Sequence, residues 1–226
     1  ITFGFRPKNR FQITDVKLEN GLQNFQLIDH ANKKHYKFST NLSGRHNLYN
    51  VTAAICVAIE ENISVKDIAK GLAGFRGVGR RFELSEIYFS KHPHVLIDDY
   101  GHHPAEILST ILAAKEKFPR QKICMIFEPH RFTRTQQLFD DFKKVLSRVD
   151  FLLLLDIYPA SEKPIKGISS KKLASEILEK NKNVYYIGKK DPMNWLHENH
   201  QDFSILITQG AGTISKLNKK IKKKWQ

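Results

Sequence analysis

The chain has 226 residues, 41% of them hydrophobic, and a formal charge of +14. That is enough apolar material for one large domain or two small ones, while no run of about 18 apolar residues exists to span a bilayer, so no membrane partner is expected. The charge raises nucleic acid as a partner, but the basic residues are scattered except in SKLNKKIKKKW near the C-terminus, and no stacking aromatics, helix-turn-helix spacing or zinc knuckle accompany them, so no nucleic acid is expected either.

In chain order, the opening ITFGFRPKNR lacks the charged-then-apolar order of a secretory signal and starts directly in a strand-like pattern, so the sequence reads as cytoplasmic and as part of a truncated or divided protein. Phe3 to Phe5, Phe11 to Leu18, Phe25 to Ile28 and His35 to Phe38 read as short strands, with turns at Asn20-Gly21 and Asp29 to Lys33. A helix follows at about Asn47 to Glu61 and a second at Val65 to Leu72, ending at Gly74. The pattern changes within GFRGVGRR, Gly74 to Arg81, and the boundary is placed between residues 80 and 81.

Beyond it, β-rich runs alternate with segments of helical period. His94 to Ile97 leads to Pro104 to Phe118, where Ile107, Ile111, Leu112 and Phe118 recur and Pro104 suits a first helical turn. Lys122 to Phe127 leads to a helix at Thr135 to Val149; Phe151 to Leu155 leads to Ser169 to Lys180; Val184 to Ile187 leads to Asp191 to His200; Ser204 to Thr208 leads to a helix after Gly212. Five such units predict an α/β, Rossmann-like, mostly parallel sheet. Cys56 and Cys124 each fall inside an apolar segment, far from a second Cys or a His at ligand spacing, and read as reduced core thiols.

In an open parallel sheet, ligands sit outside the C-terminal ends of the strands. The segments after the predicted strands are polar: Asp98-Asp99-Tyr100-Gly101-His102-His103-Pro104, then Glu128-Pro129-His130-Arg131-Phe132-Thr133-Arg134-Thr135, then Asp156-Ile157-Tyr158-Pro159, then Gln209-Gly210-Ala211-Gly212. Acids, imidazoles and guanidiniums on one rim suit a substrate carrying phosphate and carboxylate charge. Taken singly, each has a plain alternative. His103 stands before Pro104 at a helix start and could cap it; Asp98, nearer the strand end, could be structural; Asn47 reads better as a helix cap than as a ligand contact.

The ordered words GRHNLYN, GVGRRFE, DDYGHHP, PHRFTRT, LLLLDIYPASEKPI and GAG resemble the motif series of the Mur ligases, in particular the branch that adds L-alanine to UDP-N-acetylmuramate. The likeness covers nearly the whole chain. It implies that residues 1–80 are the C-terminal part of an α/β central ATP-binding domain and residues 81–226 the C-terminal Rossmann-like ligase domain. It further implies ATP and Mg2+ in the complete enzyme, phosphorylation of the sugar's lactyl carboxylate, and attack of the alanine amine on the acyl phosphate. By the same resemblance His46, Asn50, Arg81 and Asp99 face ATP, with Arg81 reaching the nucleotide across the domain hinge, and Tyr100, His102, His130, Arg131 and Arg134 face the substrates, with His102, Arg131 and Arg134 catalytic. No G-x-x-x-x-G-K-[ST] occurs in the 226 residues, so the chain by itself is expected to hold no metal and to be inactive without the N-terminal region as its partner. The alternatives are the related ligase that attaches a recycled murein tripeptide, another α/β enzyme using the His102-His103 pair, and a basic nucleic-acid-binding module.

Overall fold

In the computed structural model, which describes every residue except Arg76, the chain divides into two compact units, Ile1–Gly77 and Val78–Gln226. The expected boundary region Gly74 to Arg81 thus includes one position outside the described residues. The division falls at 77/78 and not at 80/81, because Arg80 is tied into the second unit through hydrogen bonds to Asp98 and Gly210.

The first unit is a four-stranded sheet in the order β1 (Phe3–Gly4), β2 (Phe11–Glu19), β3 (Leu22–Asp29), β4 (Lys34–Thr40), covered by α1 (Arg45–Glu60) and α2 (Val65–Gly74). Strands β2 and β3 are joined by Asn20-Gly21, both with positive φ (52° and 76°), the conformation a two-residue hairpin needs and these residue types tolerate. Phe11, Ile13, Phe25 and Leu27 alternate onto one face, where Leu48, Val51, Ile55 and Cys56 of α1 meet them. The Ser64 side chain caps α2 by accepting from the Asp67 amide. Both cysteines are buried and free, and burial pushes the Cys56 thiol up to about 11.

The second unit is a six-stranded sheet of β5 (Glu83–Phe89), β6 (His92–Asp99), β7 (Ile123–Phe127), β8 (Phe151–Leu155), β9 (Val184–Gly188) and β10 (Ile205–Gln209), in the order β5-β6-β10-β7-β8-β9. All neighbours are parallel except the edge strand β5, which is antiparallel to β6. Strand period sorts the core into two layers. Ile123, Met125 and Phe127 face α3 (Pro104–Lys117), α5 (Phe139–Leu146) and α6 (Ser170–Ile177); Cys124 and Ile126 face α7 (Met193–Asn199) and α8 (Ile214–Trp225). Each fully buried Leu, Ile or Phe contributes about 2 kcal/mol on leaving water, and a sheet covered on both faces accounts for runs as apolar as ICMIF and FLLLL.

Three expectations change. Glu83–Phe89 forms an edge strand where none was expected. Strand β6 runs on through Asp98 and Asp99, so both acids sit in the strand and not in the loop after it. The helix expected at Thr135 to Val149 is two: α4 (Phe132–Gln137) and α5, with a bend at Leu138. The start of α4 is held by Glu162 through Thr133, while α5 must lay Phe142, Val145 and Leu146 on the sheet; one straight helix does not serve both anchors.

Candidate active site

The parallel strands end on one rim, and β10 lies between β6 and β7, with Gln209 in register with Asp99 on one side and Phe127 on the other. Asp98, 4% exposed, accepts from Arg80 Nε (3.2 Å) and from Thr208 Oγ1 (3.3 Å). Arg80 also donates to the Gly210 carbonyl (2.7 Å) and lies over the Tyr100 ring, so one guanidinium joins the end of β6, the glycine turn and Tyr100. Burial raises the Asp98 carboxyl, against the opposing pull of Arg80.

Asp99, expected to face ATP, is 5% exposed and turned inward. Its Oδ1 accepts from the Gly101 amide (2.7 Å) and Gln209 Nε2 (3.1 Å), its Oδ2 from the Phe82 amide (2.8 Å). Burial raises this carboxyl despite the two amides. A ribose hydroxyl would have to share Oδ2 with Phe82. Arg81, between Arg80 and Phe82, is exposed, with its guanidinium carbon 5.7 Å from the centre of the Tyr100 ring.

At the start of α3 the two histidines separate. His103 is the N-cap: its ring accepts from the Ala105 amide, and Glu106 closes a capping box on the His103 amide (2.9 Å). Glu106 also accepts from the His102 amide (2.8 Å); burial would raise its carboxyl, but these two amides bring it below its ordinary value. The His102 Nδ1 faces the Tyr100 carbonyl at 3.2 Å. A carbonyl only accepts, so Nδ1 carries the proton and, in the neutral ring, the Nε2 lone pair is left for chemistry.

His130 is the complement. Arg134 donates to its Nδ1 (3.3 Å) and to its carbonyl (3.2 Å); a guanidinium only donates, so the His130 proton sits on Nε2. Burial, His102, Arg134 and Arg131 all lower its pKa, which keeps the ring neutral at pH 7. The His102 and His130 rings are 5.5 Å apart. One offers an acceptor and the other a donor.

Arg131 is exposed and has φ 73°, a left-handed conformation costing an ordinary residue about 1 kcal/mol or more. Neighbours hold it there: its amide donates to the Tyr158 carbonyl (2.8 Å), and its carbonyl accepts from Thr135 Oγ1 (2.8 Å). Glu162 swings back through Ala160 and Ser161, both left-handed, to accept from the Thr133 amide and hydroxyl, which lowers its carboxyl. Glu128, 5% exposed, accepts from Thr213 Oγ1 (2.6 Å) and the Ile214 amide (2.9 Å), fixing the glycine turn against β7. That turn needs its glycines: a Cβ on Gly210 would lie 2.7 Å from the Glu128 carbonyl, and one on Gly212 would lie 2.5 Å from Glu128 Oε2. A cleft of about 380 Å³ opens beside β8 and β9, lined by Glu128, Asp156, Tyr158, Lys189, Lys190 and Leu217 among others.

In the first unit, Asn47 is not the helix cap expected: Gly44 holds that position, and buried Asn47 donates from within α1 to the Ser43 carbonyl (2.8 Å). His46 is half-buried and Asn50 exposed on the first turns of the same helix. The second unit therefore brings Tyr100, His102, His130 and Arg134 together, with Arg131 on the same loop, while Asp98, Asp99 and His103 serve as internal ties. Sequence reasoning gave no role to Arg80, Glu106 and Glu162, and placed Tyr158 on the polar rim without one. The capping box His103 to Glu106 was readable from spacing alone; the other three act through contacts remote in sequence. Among the described residues there is no group of three or more His, Cys, Asp or Glu that could hold a metal ion. No helix among them is long and apolar enough to cross a membrane.

A doubly covered, mostly parallel sheet with this rim places the second unit among the α/β ligand-binding folds, and the family is assigned by direct comparison. The family model described as "Mur ligase, glutamate ligase domain" matches residues 80–212 and that of the "Mur ligase middle domain" matches residues 1–58. The chain belongs to the Mur ligase family. It is 39% identical to the UDP-N-acetylmuramate--L-alanine ligase of Psychrobacter sp. (strain PRwf-1), over 98% of this chain and 47% of that protein, and 38% identical to the ligase of the same name from Legionella pneumophila (strain Corby), over 96% and 46%. The chain thus spans about half the length of the curated relatives it matches. Among solved structures it shares its fold with the UDP-N-acetylmuramate-alanine ligase MurC of Thermotoga maritima (TM-score 0.77, 24% identity, 99% of this chain and 47% of that one) and with MurF ligase of Thermotoga maritima in complex with ADP (TM-score 0.68, 17% identity, 98% and 48%).

Proposed function

We propose that this chain supplies the amino-acid-binding half of an ATP-dependent ligase that joins L-alanine to UDP-N-acetylmuramate in the cytoplasm. The observation that carries the reading is the pairing of His102, with a free Nε2 lone pair, and His130, with an Nε2 proton, beside Arg131 and Arg134. The reaction passes phosphate from ATP to the lactyl carboxylate, and the alanine nitrogen then attacks the acyl carbon and expels phosphate. The attacking nitrogen must lose a proton, and His102 Nε2 is the acceptor oriented for it. Negative charge develops on the acyl oxygen and the departing phosphate; Arg134, tied to His130, and the His130 Nε2 proton are held donors for it, and exposed Arg131 adds positive charge on the same loop. Tyr100, between the two arginines Arg80 and Arg81 and the His102 ring, bounds the substrate side.

On the nucleotide side we assign Arg81, by its exposure, and, on the first unit, His46 and Asn50. Asp99 is assigned to the ribose through Oδ2, which accepts from the Phe82 amide and keeps a further lone pair, and through that amide it also positions Arg81. The chain contains no glycine-rich phosphate loop, so the phosphates and their magnesium are assigned to residues outside these 226. The chain alone is expected to show no turnover.

The test replaces the matching half of the Legionella pneumophila relative with this chain and measures phosphate release with UDP-N-acetylmuramate and ATP. L-alanine is expected to stimulate release and a murein tripeptide is not; His102→Asn is expected to reduce the stimulated rate about 100-fold or more. Stimulation by the tripeptide alone would assign the chain to the recycling ligase instead.

A further inference from the structure

The assigned amino-acid site has a side wall, Tyr158, that lies within the motif series but was given no role by it. Tyr158 lies flat on His130, ring centroids 5.4 Å apart and planes 21° from parallel. Its backbone is locked on both sides, because the Tyr158 amide donates to the Pro129 carbonyl (2.8 Å) and the Arg131 amide donates to the Tyr158 carbonyl (2.8 Å). The loops after β7 and β8 thus continue the parallel pairing past the strands, with His130 opposite Tyr158. At the root of the ring stands Gly212, where a Cβ would come within 2.6 Å of Tyr158 Cγ and 2.9 Å of Tyr158 Cβ, so the ring has no room to withdraw in that direction. Tyr158 also lines the cleft of about 380 Å³ beside β8 and β9, whose other walls include Ile157, Ile214 and Leu217, whereas His130, Arg131 and Arg134 do not line it.

One immobilised ring therefore separates the His130 and Arg134 cluster from a space larger than a leucine side chain. Resting on the ligase reading above, we propose that Tyr158 is a specificity-determining residue: it closes the amino-acid site off from the neighbouring cleft and so restricts the incoming amino acid to a small side chain. Alanine needs room for one methyl group on the His130 side of the ring. Leucine or methionine needs the volume the ring itself occupies. Removing the ring joins the site to the cleft, where Leu155, Ile157, Ile214 and Leu217, set among charged neighbours, offer such side chains apolar contact.

The experiment compares Tyr158→Ala and Tyr158→Phe with the unsubstituted chain, in the same chimera, reading kcat/KM for L-alanine, L-leucine and L-methionine. Tyr158→Ala is expected to raise the leucine-to-alanine ratio of kcat/KM about tenfold or more, mainly by raising KM for alanine and lowering it for leucine, while Tyr158→Phe leaves the ratio unchanged. A ratio that does not move in an active Tyr158→Ala enzyme overturns the proposal; a kcat lowered equally for all three amino acids is the mark of a ring that merely supports His130, and overturns it too. If Tyr158→Ala turns nothing over, calorimetric binding of alanine and leucine to the variant is compared, and an unmoved affinity ratio again overturns it. Should the unsubstituted chimera show no dependence on alanine, the ligase reading itself fails and this proposal with it; alanine dependence without a change in ratio sinks this proposal alone.

Discussion

The two ends of the second unit's sheet both gather histidines, and they do opposite things with them. At the N-terminal end, His94 has its Nδ1 at 3.0 Å from the His92 carbonyl and its Nε2 at 2.8 Å from the His200 carbonyl, and the His200 Nδ1 faces the His197 carbonyl at 2.7 Å. The rings are packed among Phe89, Phe203 and Trp225, with His200 stacked on Phe89 and Phe89 only 4.2 Å from Trp225. At the C-terminal end, His102 and His130 face each other with opposite tautomers, beside Glu106 and Arg134. Residue type does not mark a site here. What differs is the surroundings: apolar rings enclose the first pair, whereas beyond the strand ends the Tyr100 carbonyl and the Arg134 guanidinium orient two rings that each keep a nitrogen for a ligand.

That contrast breaks if damage at the aromatic end reaches the chemistry. Trp225→Ala removes the largest side chain of the cluster and is expected to cost about 4 kcal/mol in denaturant unfolding, with the alanine-to-leucine ratio unmoved. A shift in that ratio would mean the two ends are coupled. At the ionic end the expected loss is smaller but reaches function. Arg80→Met leaves buried Asp98 without its cation and is expected to cost about 3 kcal/mol; adding Asp98→Asn recovers most of the stability, while activity stays low because the Tyr100 and Gly210 contacts of Arg80 are gone. Full recovery of activity in the double variant would reduce Arg80 to a neutraliser of Asp98.

The smallest effect is a pH dependence. The Glu106 carboxyl is lower in the folded chain than its ordinary value of 4.5, so its contribution is present above that pH and is lost as pH falls through the folded value. Glu106→Gln is expected to cost about 1 kcal/mol at pH 7 and progressively less below about pH 4. Asp98 and Asp99, raised by burial, act with the opposite sign: their protonation on acidification favours the folded state. A Glu106→Gln penalty that is the same at pH 3 and pH 7 would mean that the capping geometry, and not the charge, holds the His102 loop.

Much of this molecule follows from local rules. Apolar runs such as KICMIF and FLLLL, the Asn20-Gly21 hairpin, Pro104 opening a helix and the buried cysteines are written in segments of a few residues, where backbone sterics and hydrophobic period act without help from the rest of the chain. The polar rim was legible for the same reason: it is the set of residues that directly follow the strands. Strand β5 was not, because Ser90 and Lys91 make its turn to β6, both with positive φ, and neither residue type signals that conformation. Nor could spacing tell Arg80 from Arg81. One is drawn inward by Asp98 and the Gly210 carbonyl, the other left exposed, and both partners are supplied by strands remote in sequence. The inward turn of Asp99, the opposite tautomers of His102 and His130, and the ring of Tyr158 across His130 likewise exist only once β6, β10, β7 and β8 lie side by side. Hydrogen-bond direction and ring contact depend on ångström-scale placement of groups tens of residues apart, and only the folded sheet fixes that distance.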